Sequence, residues 1–107
     1  MPWTVETLSA AVDREIEALP ADMKAYLQRI VHLIETFGLE QVHEPYLKHL
    51  QGRLWEMRVK GRAGIARAIY VTAVGRRVVI VRAFVKKTQK TPRSELELAL
   101  TRAKEVQ

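Results

Sequence analysis

In the first third of the chain, apolar residues return every three or four positions. Val12, Ile16 and Leu19 form one such stripe, with Ser9 placed to cap it. Pro20 interrupts the pattern, and proline is well tolerated at the first position of a new helix. A second stripe follows in Met23, Leu27, Ile30, Ile34 and Phe37, and Gly38 stands where a terminating glycine belongs. The pattern predicts two helices joined at Pro20, packed antiparallel because the connection is short. Ahead of them, Trp3–Val5 alternates as a short strand would.

After Pro45 the period falls to two. From Leu54 to Lys60, Trp55, Met57 and Val59 share one face while Glu56, Arg58 and Lys60 share the other. A turn at Gly61–Gly64 leads to a second strand over Ala66–Thr72, and Gly75-Arg76 marks another turn. Val78–Val85 is nearly continuously apolar, as for a central strand covered on both faces. The polar run from Lys86 then meets Thr91 as cap and Pro92 as first residue of a last helix, with Leu96, Leu100 and Ala103 as its stripe. The order is strand, two helices, three-strand meander, helix: an α+β fold in a single domain over residues 1–107. Trp3 and Trp55 are expected in its core.

Composition narrows the function classes. The chain has no cysteine, which excludes disulfides, thiolate metal sites and thiol catalysis. No apolar run approaches the roughly 18 residues of a membrane span, and the N-terminal stretch lacks the pattern of a secretion signal. A cytoplasmic protein with no membrane association is expected. Charge says more than the net +6. Residues 1–47 hold three basic against eight acidic groups, a net of −5. Residues 48–93 hold thirteen Lys and Arg against Glu56 alone, a net of +12. So concentrated a segment in one small domain points to a polyanion surface, nucleic acid first, with an acidic protein partner meeting the same electrostatics.

Candidate chemistry sits in that segment. Lys86, Lys87 and Lys90 occupy a loop between a strand and a helix, where ammonium groups and a helix N-terminus together suit a phosphate. Arg58, Lys60, Arg67 and Arg82 lie within strands, where a charge is costly unless it meets solvent or a partner. Tyr70 can stack a base or simply pack. His32 reads as an ordinary helical histidine; His43 and His49 flank the strand region. No HxH or HExxH spacing, GxSxG motif or phosphate-cradling glycine loop is present, so neither a metal site, a cofactor site nor a serine nucleophile is expected.

Two segments carry a family resemblance. Lys48 to Arg58, with Leu54-Trp55-Glu56 at its heart, resembles a motif of phage-derived, HigB-type members of the RelE/ParE toxin superfamily. Phe84-Val85-Lys86-Lys87-Thr88-Gln89-Lys90-Thr91-Pro92 is similar to the F-x-K-K-x-x-K-T-P element of the same family. The resemblance implies a RelE-like fold: a small antiparallel sheet, two N-terminal helices on one face and a C-terminal helix. It implies the toxin of a type II toxin–antitoxin system, a ribosome-dependent, metal-independent mRNA endonuclease. Its cognate antitoxin would be a HigA-like helix-turn-helix protein, forming a hetero-oligomer with it. Carried over by position, Arg58, Arg67, Lys86, Lys87 and Lys90 are the catalytic candidates, and Lys48, His49, Lys60, Arg62, Arg82 and Tyr70 are RNA-binding candidates. The general base stays open among a motif lysine, Glu56 and His49. Alternatives of other kinds are a ParE-like gyrase inhibitor and a non-catalytic nucleic-acid-binding module.

Overall fold

The apolar stripes become two layers pressed on opposite faces of one sheet. A computed structural model describes residues 2–86 and 90–107. In chain order the elements are β1 (Thr4–Thr7), α1 (Ala10–Glu17), α2 (Ala21–Phe37), a 3-10 turn (Leu39–Gln41), β2 (Leu47–Gln51), β3 (Leu54–Gly61), β4 (Gly64–Ala73), β5 (Arg77–Lys86) and α3 (Arg93–Ala103). The strands lie in the order β1-β5-β4-β3-β2. β1 runs parallel to β5, and the other neighbours are antiparallel.

Three features of the sheet depart from the sequence expectation. The meander has four strands, because Leu47–Gln51 adds an edge strand. Its Leu-Lys-His-Leu-Gln run has no clean alternation, and an edge strand needs little of one. The sheet is also not wholly antiparallel, since the N-terminal segment pairs parallel with β5 after the two helices intervene. β4, rather than Val78–Val85, is the middle strand.

The two faces use the alternate residues of the same strands. Met57 and Val59 of β3, Ala66, Ala68 and Tyr70 of β4, and Val78 and Ile80 of β5 pack against Val12 of α1 and Met23, Leu27, Ile30 and Ile34 of α2. Leu54, Ile69, Val71, Val79 and Val81 face the other way, against Ala99 and Ala103 of α3 and Val106 beyond it. The expected α3 stripe is therefore rotated: Ala99 and Ala103 are buried while Leu100 is exposed. Small side chains at the contact let the helix axis come close to the strands. Pro92, not Thr91, occupies the cap position of α3. At the other helix end, Gly38 stops α2 with a φ of 94°, in the region that favours glycine.

A bulge sets the chemistry of β5. Ile69 pairs with Arg82 and Tyr70 with Ile80, so Val81 has no partner. In a regular strand Arg82 would point with Ile80 toward α1 and α2; the extra residue turns it to the α3 side. There Arg82 Nε donates to Glu95 Oε1 of α3 at 2.6 Å and its NH1 pairs with Glu15 Oε2 of α1 at 3.0 Å. Beyond the end of β1, Glu15 and Arg102 take over the edge of β5. Glu15 Oε1 accepts from the Ala83 amide at 3.1 Å and from Arg102 NH1 at 3.0 Å, while Arg102 NH1 donates to the Val81 carbonyl at 2.8 Å. Four side chains thus tie α1, β5 and α3 together.

Burial works to raise the pKa of Glu15, but the Arg102 hydrogen bond, the Ala83 amide and the charges of Arg82 and Arg102 outweigh it and hold the carboxyl below its ordinary value. A group with a depressed folded pKa adds stability above its unfolded value and loses it as pH falls through the folded one. The melting temperature is expected to fall as pH drops below about 4.5. Glu15→Gln should cost about 2 kcal/mol at pH 7 and flatten that acid slope, read by thermal unfolding across pH 3–7. An unchanged slope would remove Glu15 from this role.

Candidate functional site

Cross-strand partners in a sheet share a face, so the registers show which charges meet. Three rows cross the α3 side of the sheet: Lys60–Ile65–Lys86, Arg58–Arg67–Phe84, and Lys48–Glu56–Ile69–Arg82. α3 covers the apolar end of this face, while Lys48 and Lys60 stay exposed and Lys86 half-exposed. Lys90 is exposed, next to Thr91 and just ahead of α3. Lys87 lies outside the described residues. Arg62 sits in the exposed β3–β4 turn, where its amide donates to Asp22 Oδ2 at 2.7 Å and ties the turn to the start of α2.

His49 and Tyr70 do not belong to this face. His49 pairs with Trp55, Trp55 with Tyr70, and Tyr70 with Ile80, a row on the side of α1 and α2. The RNA-binding candidates drawn from the sequence are therefore split between two surfaces. Trp55, expected in the core, is 40% exposed and lines a groove beside the segment that follows α2. Arg82 is held by Glu15 and Glu95 and acts as a strut between helices instead of an open phosphate contact.

At the centre of the basic face lies a carboxylate. Glu56 is fully buried and Arg67 is 3% exposed, and the two form an ion pair. Thr91 completes the group: its hydroxyl donates to Glu56 Oε1 at 3.0 Å and accepts from Arg67 NH1 at 3.4 Å. Burial lowers the pKa of Arg67, yet a guanidinium remains charged across the ordinary pH range. Removing one partner from such a pair strands the other charge without water. Arg67 is therefore bound into the fold as well as into the face. The missed signal is Glu56 itself, the sole acid among thirteen cations of its segment.

Arg58 stands directly opposite Arg67 on the next strand. Its Nε is buried without a hydrogen-bond partner among the described residues. The carboxylate of Glu56 is already engaged by Arg67 and Thr91, so among the described residues none beside Arg58 balances its charge. Two like charges facing each other across a ladder repel unless an anion joins them. The arrangement leaves room for an anion at Arg58.

Arg67→Ala and Glu56→Gln are each expected to lower stability by about 3–5 kcal/mol. Arg58→Ala should cost less than about 0.5 kcal/mol or add stability. Chemical unfolding of the three variants checks this, and an Arg67→Ala protein as stable as wild type would contradict the buried-pair reading.

Among the described residues, no helix is long and apolar enough to cross a membrane. No curated protein matches the chain. Among solved structures, the fold is similar to a chain of the archaeal RelE–RelB complex from Pyrococcus horikoshii OT3, with a TM-score of 0.58 at 19% identity over 81% of this chain and 98% of that one. The architecture is thus RelE-like, with two N-terminal helices on one face of the sheet and the C-terminal helix on the other. In sequence, residues 14–104 match the family described as "Phage derived protein Gp49-like (DUF891)". The match spans most of the chain, both segments of the basic face included, and the protein belongs to the phage-derived Gp49-like family.

Proposed function

We propose that this protein is the toxin of a type II toxin–antitoxin system, of the HigB type, and that it cleaves mRNA on the ribosome without a metal. The observation that carries the reading is the half-buried Arg58, unbalanced beside the Glu56–Arg67 pair on a face whose open end holds Lys60 and Lys86. Membership of the Gp49-like family and the RelE-like fold support it.

In this mechanism the 2′-hydroxyl of one nucleotide attacks the neighbouring phosphate and the 5′-oxygen leaves. Negative charge grows on the phosphoryl oxygens, and fixed cations stabilise it more than they stabilise the ground state. Arg58 grips the phosphate through two N–H groups, and Arg67, immobilised by Glu56 and Thr91, supplies a rigid positive layer behind it. Lys86, Lys87 and Lys90 complete the cationic frame. Of the three kinds of candidate base, Glu56 is already bound on both oxygens and His49 lies on the other face. One lysine of the motif therefore takes the 2′-hydroxyl proton, while the others stay charged and supply the proton of the leaving 5′-oxygen.

The partner is a cognate antitoxin, as RelB is in the complex of the similar archaeal fold. It is a HigA-like helix-turn-helix protein that forms a hetero-oligomer with the toxin in the cytoplasm. An acidic or amphipathic segment of it covers the basic face, drawn there by the +12 segment.

With translating ribosomes, mapped mRNA ends should show codon-linked cuts by the wild-type protein. Arg58→Ala should cut about 10²–10³-fold more slowly while unfolding at the wild-type temperature. Arg58→Lys should recover little, since a point charge cannot copy the guanidinium fork. Inhibition of gyrase supercoiling with no mRNA cleavage would replace this reading by a ParE-like one. The antitoxin complex should weaken from low to high salt, measured by titration; an affinity independent of salt would remove charge as the basis of that recognition.

A further inference from the structure

On the opposite side from the phosphate face, the sheet leaves a groove of about 570 Å³ between the strands and the segment after the 3-10 turn. Its wall is the row His49–Trp55–Tyr70, and His43, Glu40 and Glu44 stand at its rim. The Trp55 indole is open to it, with the His49 ring tilted 55° at 4.9 Å between centroids. His49 Nε2 lies 2.9 Å from the Gly52 carbonyl. A carbonyl only accepts, so Nε2 carries a proton, and in that tautomer Nδ1 is the ring's acceptor. Tyr70 is 2% exposed, yet its hydroxyl has no hydrogen-bond partner among the described residues. The ring is buried but the hydroxyl oxygen is not enclosed, and Tyr70 lines the groove.

We propose that this groove is a subsite for one unpaired nucleobase of an RNA strand that passes around the edge strand β2 from the basic face. The inference rests on the reading of RNA as substrate and adds a second contact surface to it. An exposed indole beside an imidazole gives a base a face to stack on, and stacking is the general way proteins hold unpaired bases. The Tyr70 hydroxyl and His49 Nδ1 supply one donor and one acceptor for its edge. Glu40 and Glu44 repel phosphate, so the base enters and the backbone stays outside. The backbone has its own contact, because Lys48 alternates with His49 along β2 and lies on the Arg58 side of the sheet. β2 is the outermost strand, so no further strand blocks the path from Lys48 to Trp55. The rim carboxylates accept hydrogen bonds and donate none, which favours a base with an exocyclic amine over uracil.

The test uses Trp55 as its own reporter, in a Trp3→Phe protein. Titration with an adenosine hexamer RNA should quench the Trp55 emission saturably, and a uridine hexamer should bind about 5-fold more weakly. An abasic hexamer should bind by anisotropy with no quench. Adding Tyr70→Phe should weaken the adenosine hexamer by about 5-fold, and His49→Ala, at an exposed position, by about 10-fold. An adenosine hexamer that binds by anisotropy without quenching, affinity for it unchanged in Tyr70→Phe and His49→Ala, or a quench produced by the antitoxin and by no RNA would each overturn the subsite. Cleavage on ribosomes is read separately, so loss of the groove contact with cleavage intact sinks only this inference.

Discussion

Two opposite charges, Glu56 and Arg67, are enclosed between the sheet and the start of α3, and the site takes its form from that enclosure. Neither charge can be buried alone at tolerable cost, so each requires the other. Thr91, just ahead of α3, closes the group by bonding both. The lysine motif leads directly into Thr91, so the pair also fixes where that loop must end. Arg58 inherits the consequence: its neighbour across the ladder is positive and the nearby carboxylate is already used. A face that would otherwise balance itself is left one cation in excess at its centre.

The rest of the fold keeps this face in one piece. The Val81 bulge brings Arg82 to the α3 side, where it holds Glu95 and Glu15 and leaves no acid free to cancel the cations beyond it. Arg102 and Glu15 satisfy the edge of β5 that β1 leaves uncovered. The acidic first half of the chain is carried largely by α1, α2 and the turn after them, on the opposite side of the sheet. One small sheet thereby separates a basic surface from a mixed aromatic and acidic one.

Much of this was legible in the chain. The α2 stripe from Met23 to Ile34 and the alternation of faces from Trp55 to Lys60 each follow from one period, while Phe37 at the end of the stripe is exposed and Pro20 caps α2 instead of opening it. Period two alone places Arg58 and Lys60 on the same face. What escaped has local causes. β2 is polar because it is an edge, so its register, which carries His49 to the far side, was unreadable. A one-residue bulge reverses Arg82, and no composition marks it. The rotation of α3 follows from the closeness of Ala99 and Ala103 to the sheet, where hydrophobicity alone favoured Leu100. Glu56 looked solvent-facing because alternation distinguishes two faces without saying what covers each. Its isolation among cations was the one clue that it serves Arg67.

The most direct test of the account is a double-mutant cycle on unfolding free energy, with Glu56→Gln, Arg67→Gln and the two combined. If the pair is enclosed as described, the single changes are each severe, the double change costs far less than their sum, and the coupling is about 2–3 kcal/mol. Additive costs with coupling near zero would show that Arg67 is not held by Glu56, and the assignment of Arg58 as the cation left for phosphate would lose its foundation.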